Sequence, residues 1–354
     1  MFVEELKNSK EWTNFLQAHP EGTFYHSLKW KEVLQNSLPY SPSYLTIRDA
    51  NGTLVGICPG FILDSMHMKV YDSTPHSDYG GPLILRDCLK NASLSLLGFL
   101  QSFCSDRGIA YAKICFMNNE LVQSIKSPLS YLDTSTGKVE IDLKVTPSEV
   151  IWKKVYSVSK RKKIRLVERD GFQCQEARSK SDLRDFYNLY YRNMKYIGSP
   201  PYPYDFMENM WKILYPESLR IWLVGKEKRI GGIAVFKGIR KIHWVYVGID
   251  RERCSSRYSV IPYLLWKEIE TAEEEGYRYI SLGATPNDPT HPYYRQKLSF
   301  GGSFLEQKIV RYPFSFRGHV LLQTRTKAIL AWKNIRDFLP NNLKSTLQEK
   351  LSLF

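Results

Sequence analysis

The sequence repeats one order of elements twice, and this duplication constrains the fold most strongly. In the first half, SYLTIRDANGTLVGICPGFIL predicts two strands joined by the turn Asn51-Gly52, because both residues tolerate the positive φ angles of a two-residue hairpin. A helical stretch from Leu94 to Phe103 follows, then Arg107-Gly108 and the apolar strand YAKICF. Glycine directly after a helical stretch is typical of a helix C-terminus.

The second half has the same order. LRIWLVGKEKRIGGIAVFKG predicts a strand, a polar turn and a strand, and KIHWVYVGI predicts a third strand. Gly276 ends a helix predicted from about Ser259 to Glu275, and YRYISLG is the following strand. We therefore predict an α/β protein (α+β, with mixed sheets) that consists of two modules of one design.

A helical insert separates the two modules. The segment TPSE at 146–149 predicts a capping box with proline at the first helical position, and the helical pattern continues to Gly171 with a break near 157–159. A second helix is predicted from Ser181 to about Lys195. We predict a first domain over 1–145, a second domain over 146–311 that includes the basic helical insert 146–196, and a basic helical tail over 312–354.

The composition excludes several classes of protein. Apolar residues make up 43% and charged residues 24% of the 354 residues, so a collagen-like, disordered or disulfide-rich chain is not expected. The longest apolar run, 54–63, is far shorter than the ~20 residues of a membrane-spanning helix, and the N-terminus has no secretory pattern. The six cysteines form no CxxC motif and no HExxH occurs, so we expect reduced thiols, no metal and a soluble, cytoplasmic protein.

The charge balance points to anionic partners. The chain has 50 Lys and Arg against 36 Asp and Glu, a net charge of +14, which favours nucleic acid, phosphorylated metabolites or acidic lipid surfaces. The tail after Tyr312 adds basic residues to a predicted helix that carries Leu322, Ile329 and Trp332 at helical spacing. That helix either docks on the protein core or makes a peripheral contact with the inner, anionic membrane face.

The first candidate site is the basic stretch SVSKRKKIRLVERDG. Arg161 and Arg165 are four residues apart and share one helix face, where two guanidinium groups would hold a phosphate with parallel hydrogen bonds. A solvated charged face fits the same pattern.

The second candidate site is the segment STPHSDYGGPLI. It places Asp78 and Tyr79 before a Gly-Gly-Pro turn, where backbone can approach a ligand closely and a carboxylate could orient or deprotonate an amine. Aspartate is also common simply as a turn residue.

The third candidate site is the segment SLGATPNDPTHPYYRQKLSFGG. A loop after a strand carries Tyr293, Tyr294, Arg295 and Lys297, and loops at strand ends are where ligands usually bind. An ordinary polar surface loop is the alternative interpretation.

In their order along the chain, these stretches resemble the Fem-type (FemABX) peptidoglycan-bridge aminoacyltransferases and related acyltransferases of the GNAT superfamily. HSLKWKEVL resembles the family's QSxxW helix, with His26 in place of glutamine, and SDYGGPL and SKRKKIRLVERDG resemble later landmarks. Lys297-x-x-Phe300-Gly301 resembles the K-x-x-F/W-G pattern. The resemblance covers about residues 24–310 and implies two GNAT-like domains packed together, which agrees with the duplication.

The resemblance also implies a reaction. Such enzymes transfer an amino acid from aminoacyl-tRNA to the side-chain amine of a cell-wall precursor peptide, without a metal or other cofactor. By resemblance Lys297 lies beside the acyl-transfer site, where its ammonium group would stabilise the oxyanion, and Asp78 is the candidate carboxylate that faces the amine. A lysine near the early tryptophan holds the precursor's diphosphate in several members, and here Lys31 or Lys29 would serve. The further candidates for substrate binding are Tyr79, Arg161, Arg165, Tyr293, Tyr294 and Arg295.

Three functions remain open at this point. The first is a Fem-type N-acyltransferase that uses aminoacyl-tRNA and an amine of an anionic cell-envelope precursor. The second is an acyl-CoA-dependent N-acetyltransferase that acts on an amino sugar or envelope metabolite; against it, the loop DRERCSSRYSV lacks the glycine-rich turn that cradles the coenzyme A pyrophosphate in ordinary GNAT enzymes. The third is a non-catalytic RNA-binding protein, against which the sequence shows no RNP or KH signature.

Overall fold

The computed structural model describes residues 1–65, 68–73, 75–78, 80–116, 122, 130–254 and 258–335. The chain forms two compact units. Unit 1 consists of Met1–Ser135 together with Glu306–Phe354, and unit 2 is Thr136–Leu305. Each unit has its own apolar core.

Strands and helices alternate along the described chain. The strands are β1 (Phe2–Glu5), β2 (Ser41–Pro42), β3 (Leu45–Arg48), β4 (Leu54–Cys58), β5 (Phe61–Ser65), β6 (Met68–Asp72), β7 (Leu83–Ile84), β8 (Ile109–Phe116), β9 (Tyr131–Asp133), β10 (Thr136–Asp142), β11 (Gln173–Glu176), β12 (Leu219–Gly225), β13 (Arg229–Lys237), β14 (Lys241–Ile249), β15 (Tyr279–Pro286), β16 (Ser303–Glu306) and β17 (Lys308–Pro313). The α-helices are α1 (Ser9–Ala18), α2 (Leu28–Ser37), α3 (Leu89–Asp106), α4 (Ser148–Val150), α5 (Val158–Arg169), α6 (Lys180–Tyr196), α7 (Tyr204–Leu214), α8 (Val260–Glu274), α9 (Pro292–Leu298) and α10 (Phe316–Ile335). A π-helical segment, Ile151–Val155, follows α4.

Unit 1 contains two sheets. One has the strand order β1-β3-β4-β7 and is antiparallel, and the other has the order β2-β5-β6-β8-β17-β9. Within the second sheet β6 and β8 are parallel, while β8 and β17 are antiparallel. Helix α3 connects the first sheet to β8 and contributes Leu96 and Leu100 to the core.

Unit 2 is built on one seven-stranded sheet. Its order is β11-β12-β13-β14-β15-β10-β16, with β14 and β15 parallel and α8 forming the connection between them. A parallel pair requires such a long crossover, because a tight turn can join only antiparallel strands. The helix buries Tyr263, Leu264 and Ile269 in the core of the unit.

The predicted duplication is confirmed. Each unit contains antiparallel strands followed by one parallel pair, β6 with β8 and β14 with β15, and a helix precedes the second strand of each pair. Gly108 and Gly276 end these two helices with φ angles of +63° and +78°, a conformation that favours glycine. The sequence signals for the two modules therefore correspond to real helix ends.

The domain boundaries differ from the predicted ones. Strand β10 pairs along β15 and so belongs to unit 2, although the predicted boundary at 145 placed it in the first domain. Strand β17 pairs with β8 and β9 and so returns the chain to unit 1, although the predicted second domain extends to residue 311. Both strands find partners that are distant in sequence, and no local pattern reports such pairing.

The insert contains the helices α4, α5 and α6, and the described part of the tail contains α10. The break near 157–159 is present, since Tyr156 is extended and the Ser157 side chain caps α5. The predicted capping box at 146–149 is wrong, because α4 begins without a side-chain cap and Ser148 donates to Glu273 instead. In the tail helix, Leu322 is buried against the sheet of unit 1. Across the residues described here, no helix is long and apolar enough to cross a membrane.

Candidate active site

Strands β14 and β15 separate soon after they begin to pair. Their register contains only three pairs, which end at His243 and Ser281, although β14 continues to Ile249 and β15 to Pro286. Both strands are fully described, and no further pair joins them beyond this point. We call the resulting gap, lined by residues 244–249 and 282–286, the β14/β15 opening. Backbone N–H and C=O groups that a sheet partner would normally occupy face it.

Two local irregularities shape the opening. Val245 is an extra residue in β14, because Ala234 and Val235 face Tyr246 and Trp244 across the ladder. Gly283 in β15 has a φ angle of +78°, and the register of β15 with β10 shifts at the same place. Such bulges bend strands and turn side chains, and they are frequent next to active sites.

Aromatic side chains pack beside the opening. The Phe300 ring lies 6.3 Å from the Trp244 ring and 6.3 Å from the Tyr156 ring, measured between ring centres. Three buried polar atoms here have no hydrogen-bond partner in the described structure, namely Tyr156 Oη, Trp244 Nε1 and Thr285 Oγ1. Burial also raises the pKa of the Tyr156 hydroxyl well above its usual range, so this group remains a proton donor. Buried polar groups normally have partners, and these three atoms lack one within the described residues.

Lys160 is a residue that the sequence reasoning did not single out. Its Nζ lies 4.6 Å from the centre of the Tyr156 ring and 4.5 Å from the centre of the Phe300 ring. The same ammonium group donates to the carbonyl oxygen and the hydroxyl of Ser299, at 2.6 and 3.0 Å. Burial lowers the pKa of Lys160 from 10.5 to about 8. The run of basic residues contained this lysine, but only the packing of Phe300 distinguishes it from its neighbours.

Lys297 lies at the edge of the opening. It belongs to helix α9 and not to the predicted loop, and its Nζ donates to the carbonyl oxygen of Ala284 in β15. Three residues later Phe300 is buried, and Gly301 adopts a φ angle of +99° where an added Cβ would lie 3.3 Å from Ile151. The K-x-x-F-G spacing therefore places a cation over the end of β15 and an aromatic ring in the core.

The other predicted residues of α9 have polar or aromatic contacts of their own. Tyr293 is about half exposed and stacks on His291, and the Tyr294 ring lies 5.1 Å from the Phe304 ring. The Nε of Arg295 donates to the carbonyl oxygen of Pro289 at 3.0 Å. Their roles in substrate binding stay predictions.

Arg161 and Arg165 have different surroundings. Nη1 of Arg161 donates to three carbonyl oxygens, those of Trp152, Lys153 and Tyr156, at 2.8 to 3.0 Å. These bonds satisfy acceptors at the end of the π-helical segment. Arg165 is exposed and lies over the Trp152 ring at 5.4 Å, beside a cavity of about 360 Å³. A shared phosphate for these two residues stays a prediction.

A buried lysine lies in the sheet next to the opening. Lys138 in β10 is opposite Ala284, and its Nζ is 3.1 Å from Glu140, which also accepts from Lys241. Burial lowers the pKa of Lys138 from 10.5 to about 7. Polar and apolar residues alternate along β10, and such a pattern does not indicate that a lysine is buried. The sequence therefore did not predict the burial of Lys138.

In unit 1 the early motif holds the loop of the second candidate site. The His26 ring contacts the carbonyl oxygen of Gly81 at 3.2 Å, and Trp30 Nε1 donates to the Ser77 hydroxyl at 3.0 Å. Burial lowers the pKa of His26 to about 4, so the ring is neutral near pH 7. The motif HSLKW therefore contacts the second candidate site at Ser77 and at Gly81.

Two predicted residues of unit 1, Lys31 and Asp78, are described and adjoin the residues that make these contacts. Asp78 accepts a hydrogen bond from Gln307 through its backbone carbonyl, at 2.7 Å. Lys31 is partly buried, with its Nζ 5.7 Å from the centre of the Tyr44 ring. Tyr79 lies outside the described residues. Within the described ranges, no three of His, Cys, Asp and Glu cluster as a metal site.

Comparison with known proteins identifies the architecture. Residues 153–294 match the family model of the acetyltransferase (GNAT) domain. The chain is similar to the crystal structure of FemX, with a TM-score of 0.70 and 12% identity over 87% of this chain and 97% of that chain. It is also similar to L-PGS from Bacillus licheniformis, with a TM-score of 0.56 and 12% identity over 91% of this chain and 97% of that chain.

A third structure has a tandem arrangement. It is a tandem GNAT protein from the clavulanic acid biosynthesis pathway, with a TM-score of 0.58 and 10% identity over 88% of this chain and 98% of that chain. No curated protein sequence matches this chain significantly. These likenesses confirm the predicted fold class, a mixed α/β protein with two GNAT-like domains.

Proposed function

We propose that this chain, an acyltransferase with the GNAT-like, Fem-type fold, transfers an aminoacyl group from tRNA to an amine of an anionic cell-envelope precursor. The observation that carries the proposal is the β14/β15 opening, with Lys297 over the end of β15 and buried donors that lack partners beside it. An acyl ester placed there would meet backbone N–H groups, an ammonium group and an aromatic wall. Because aminoacyl-tRNA is a cytoplasmic donor, the proposed reaction takes place in the cytoplasm.

The chemistry needs few protein groups. The acceptor amine attacks the ester carbonyl, a C–N bond forms, and negative charge develops on the carbonyl oxygen of the tetrahedral intermediate. The Lys297 ammonium would stabilise this oxyanion or the leaving 3′-oxygen, as a fixed positive charge does in a dry site. The C–O bond then breaks, the 3′-oxygen takes up a proton, and the nitrogen loses one. Asp78 remains the proposed acceptor of the amine proton.

The proposal also specifies the acyl donor, aminoacyl-tRNA. The segment 250–259 before α8 contains no glycine, whereas the diphosphate of coenzyme A usually lies against glycine backbone at that helix start. An acyl-CoA donor is the second candidate, favoured by the match of residues 153–294 to the acetyltransferase domain. Release of a thiol from acetyl-CoA distinguishes the two donors.

The proposed acceptor, an anionic cell-envelope precursor, is supported by the resemblance to FemX and by the net positive charge of the protein. Lys31, beside the early tryptophan, is proposed to contact an anionic group of the precursor. A peripheral contact with the inner membrane face is proposed for the tail, because Phe316 and Val320 lie four residues apart on α10 and are both exposed. Leu322 of the same helix is buried, so the helix can remain docked while this apolar pair touches lipid.

Substitution of Lys297 by methionine tests the proposal. Loss of one oxyanion-stabilising group typically lowers turnover on the order of 100–1000-fold, whereas a surface substitution changes stability by about 0.5 kcal/mol at most. We expect Lys297→Met to lose transfer by that factor with an unchanged melting temperature. The assay measures aminoacyl transfer from tRNA to a nucleotide-linked wall-precursor peptide with a lysine amine, and thiol release from acetyl-CoA in parallel.

The matched control is Lys144→Met, which removes an exposed lysine of the same unit. It should transfer like the wild type. Normal turnover in a folded Lys297→Met protein, with either donor, would contradict the proposed role. Arginine at 297 should restore activity poorly, because a planar guanidinium presents its charge differently from a compact ammonium.

A further inference from the structure

Unit 2 has a basic cavity that the reaction described above does not use. Its volume is about 370 Å³, and it lies between α6, the turn from β12 to β13, and the segment that follows β14. Five cationic side chains line it: Arg192, Lys226, Lys228, Arg229 and Arg253. We call it the basic pocket. It lies in the more basic unit, since residues 136–305 contain 30 Lys and Arg against 20 Asp and Glu.

A buried carboxylate positions two of these cations. Asp250 is only 4% exposed, and its Oδ2 lies 3.4 Å from Arg192 and 3.5 Å from Arg253. Its Oδ1 accepts the backbone N–H groups of Glu252 and Arg253 at 3.2 Å. Two guanidinium groups from different elements thus share one anionic partner. Both remain largely exposed, so each keeps N–H donors for a ligand.

The turn between β12 and β13 adds three more cations. In the described part of the chain, Lys226, Lys228 and Arg229 form no ion pair, and Lys226 packs over the Phe172 ring at 4.9 Å. The remaining acidic residues of the lining, Asp185 and Glu227, are exposed. Five cations therefore face three anions, and the pocket has an excess of positive charge that attracts anions.

We propose that the basic pocket binds the phosphodiester backbone of the RNA that carries the acyl group. The inference rests on the proposed function. Asp250 follows β14 six residues after Trp244, which corresponds to about 20 Å along the strand from the start of the opening. A donor that reaches both places is long and carries phosphates far from its acyl group. The cations come from three separate elements, which suits successive phosphates of a polynucleotide.

The experiment measures RNA binding without turnover. The probe is a deacylated RNA minihelix with a tRNA acceptor stem and a CCA end, and fluorescence anisotropy measures its affinity at several salt concentrations. The variant Lys226→Gln with Lys228→Gln removes two exposed cations of the pocket. The matched control, Lys144→Gln with Lys154→Gln, removes two exposed lysines of unit 2 outside it, so both proteins have the same net charge.

We expect the pocket variant to bind the minihelix about 10-fold more weakly at low salt. The slope of log affinity against log salt should fall by about one for each lost phosphate contact. The control should bind within about twofold of the wild type. Equal affinity and slope in the pocket variant and the control would overturn the proposal. Weaker binding of acetyl-CoA with unchanged minihelix binding would also overturn it, and would assign the pocket to a coenzyme diphosphate.

Failure of this inference is distinguishable from failure of the proposed function. Lys297→Met should bind the minihelix as the wild type does and yet lose transfer. If the pocket variant binds RNA normally while the wild type transfers from aminoacyl-tRNA, only the pocket inference is wrong. If the wild-type protein binds no minihelix and transfers from acetyl-CoA alone, both are wrong.

Discussion

Replacement of Lys160 by methionine separates the role of its charge from the role of its chain length. Methionine keeps an unbranched apolar side chain of similar length between Tyr156 and Phe300, but it removes the ammonium group that contacts both rings and Ser299. Stability and activity should therefore respond differently to a substitution at Lys160.

The stability change should be small. Burial lowers the pKa of Lys160 from 10.5 to about 8, which corresponds to a destabilisation of its ammonium form by about 3 kcal/mol. Because the side chain is partly exposed to solvent, roughly half of this cost remains. Two cation–π contacts return about 1 kcal/mol each, so the terms nearly cancel. We expect Lys160→Met to change the free energy of unfolding by about 1 kcal/mol or less, a shift of about 4 °C or less in Tm.

The activity change should be large and should depend on pH. We propose that Lys160 assists Lys297 in stabilising the oxyanion, because its ammonium group contacts Phe300, whose ring lies beside Trp244 of the opening. Its loss should lower turnover on the order of 100–1000-fold. Because burial lowers the pKa of Lys160 to about 8, the charged form is lost as pH rises through that value. The wild-type rate should therefore fall above pH 8. Lys160→Arg, whatever its rate at pH 7, should show no such fall above pH 8, since arginine stays protonated.

The assay measures initial transfer rates from pH 6.5 to 9.5 for the wild type, Lys160→Met and Lys160→Arg, with melting curves at each pH. Lys154→Met serves as the matched control, because Lys154 is exposed and lies six residues before Lys160 in the same helical insert. A wild-type rate that stays flat to pH 9.5, or normal turnover in Lys160→Met, would refute the reasoning.

Two further substitutions test the electrostatics of unit 2. Arg161→Met should destabilise the protein by about 1–3 kcal/mol in urea unfolding, because three carbonyl oxygens lose their donor. Arg165→Met, at an exposed position on the same helix, should change stability by about 0.5 kcal/mol at most. Equal losses of stability in the two variants would contradict the structural role of Arg161. For Lys138, burial lowers the pKa from 10.5 to about 7, so the unfolded chain binds more protons between these values and stability should rise with pH across that window. Lys138→Met should lose this rise relative to Lys144→Met, and urea unfolding at pH 7 and 9.5 would show whether it does.

The sequence by itself determined the local elements and their order. The Asn-Gly turn, the glycines after the two crossover helices and the alternating apolar strands depend on backbone preferences that neighbouring residues set. These signals were sufficient for the duplication, the fold class and the break before α5. Motif order added the Fem-type resemblance, which the likeness to FemX confirms at the level of fold.

Only the tertiary structure decided which distant segments meet. Strand β17 pairs with β8, and β10 pairs with β15, so both domain boundaries differ from the predicted ones. The β14/β15 opening likewise depends on where the pairing of two parallel strands ends. No single residue of either strand determines that position. Lys160 acquires its lowered pKa from the burial that comes with packing beside Phe300 and Tyr156. Charge counts along a chain are local, whereas burial and strand pairing are properties of the folded molecule.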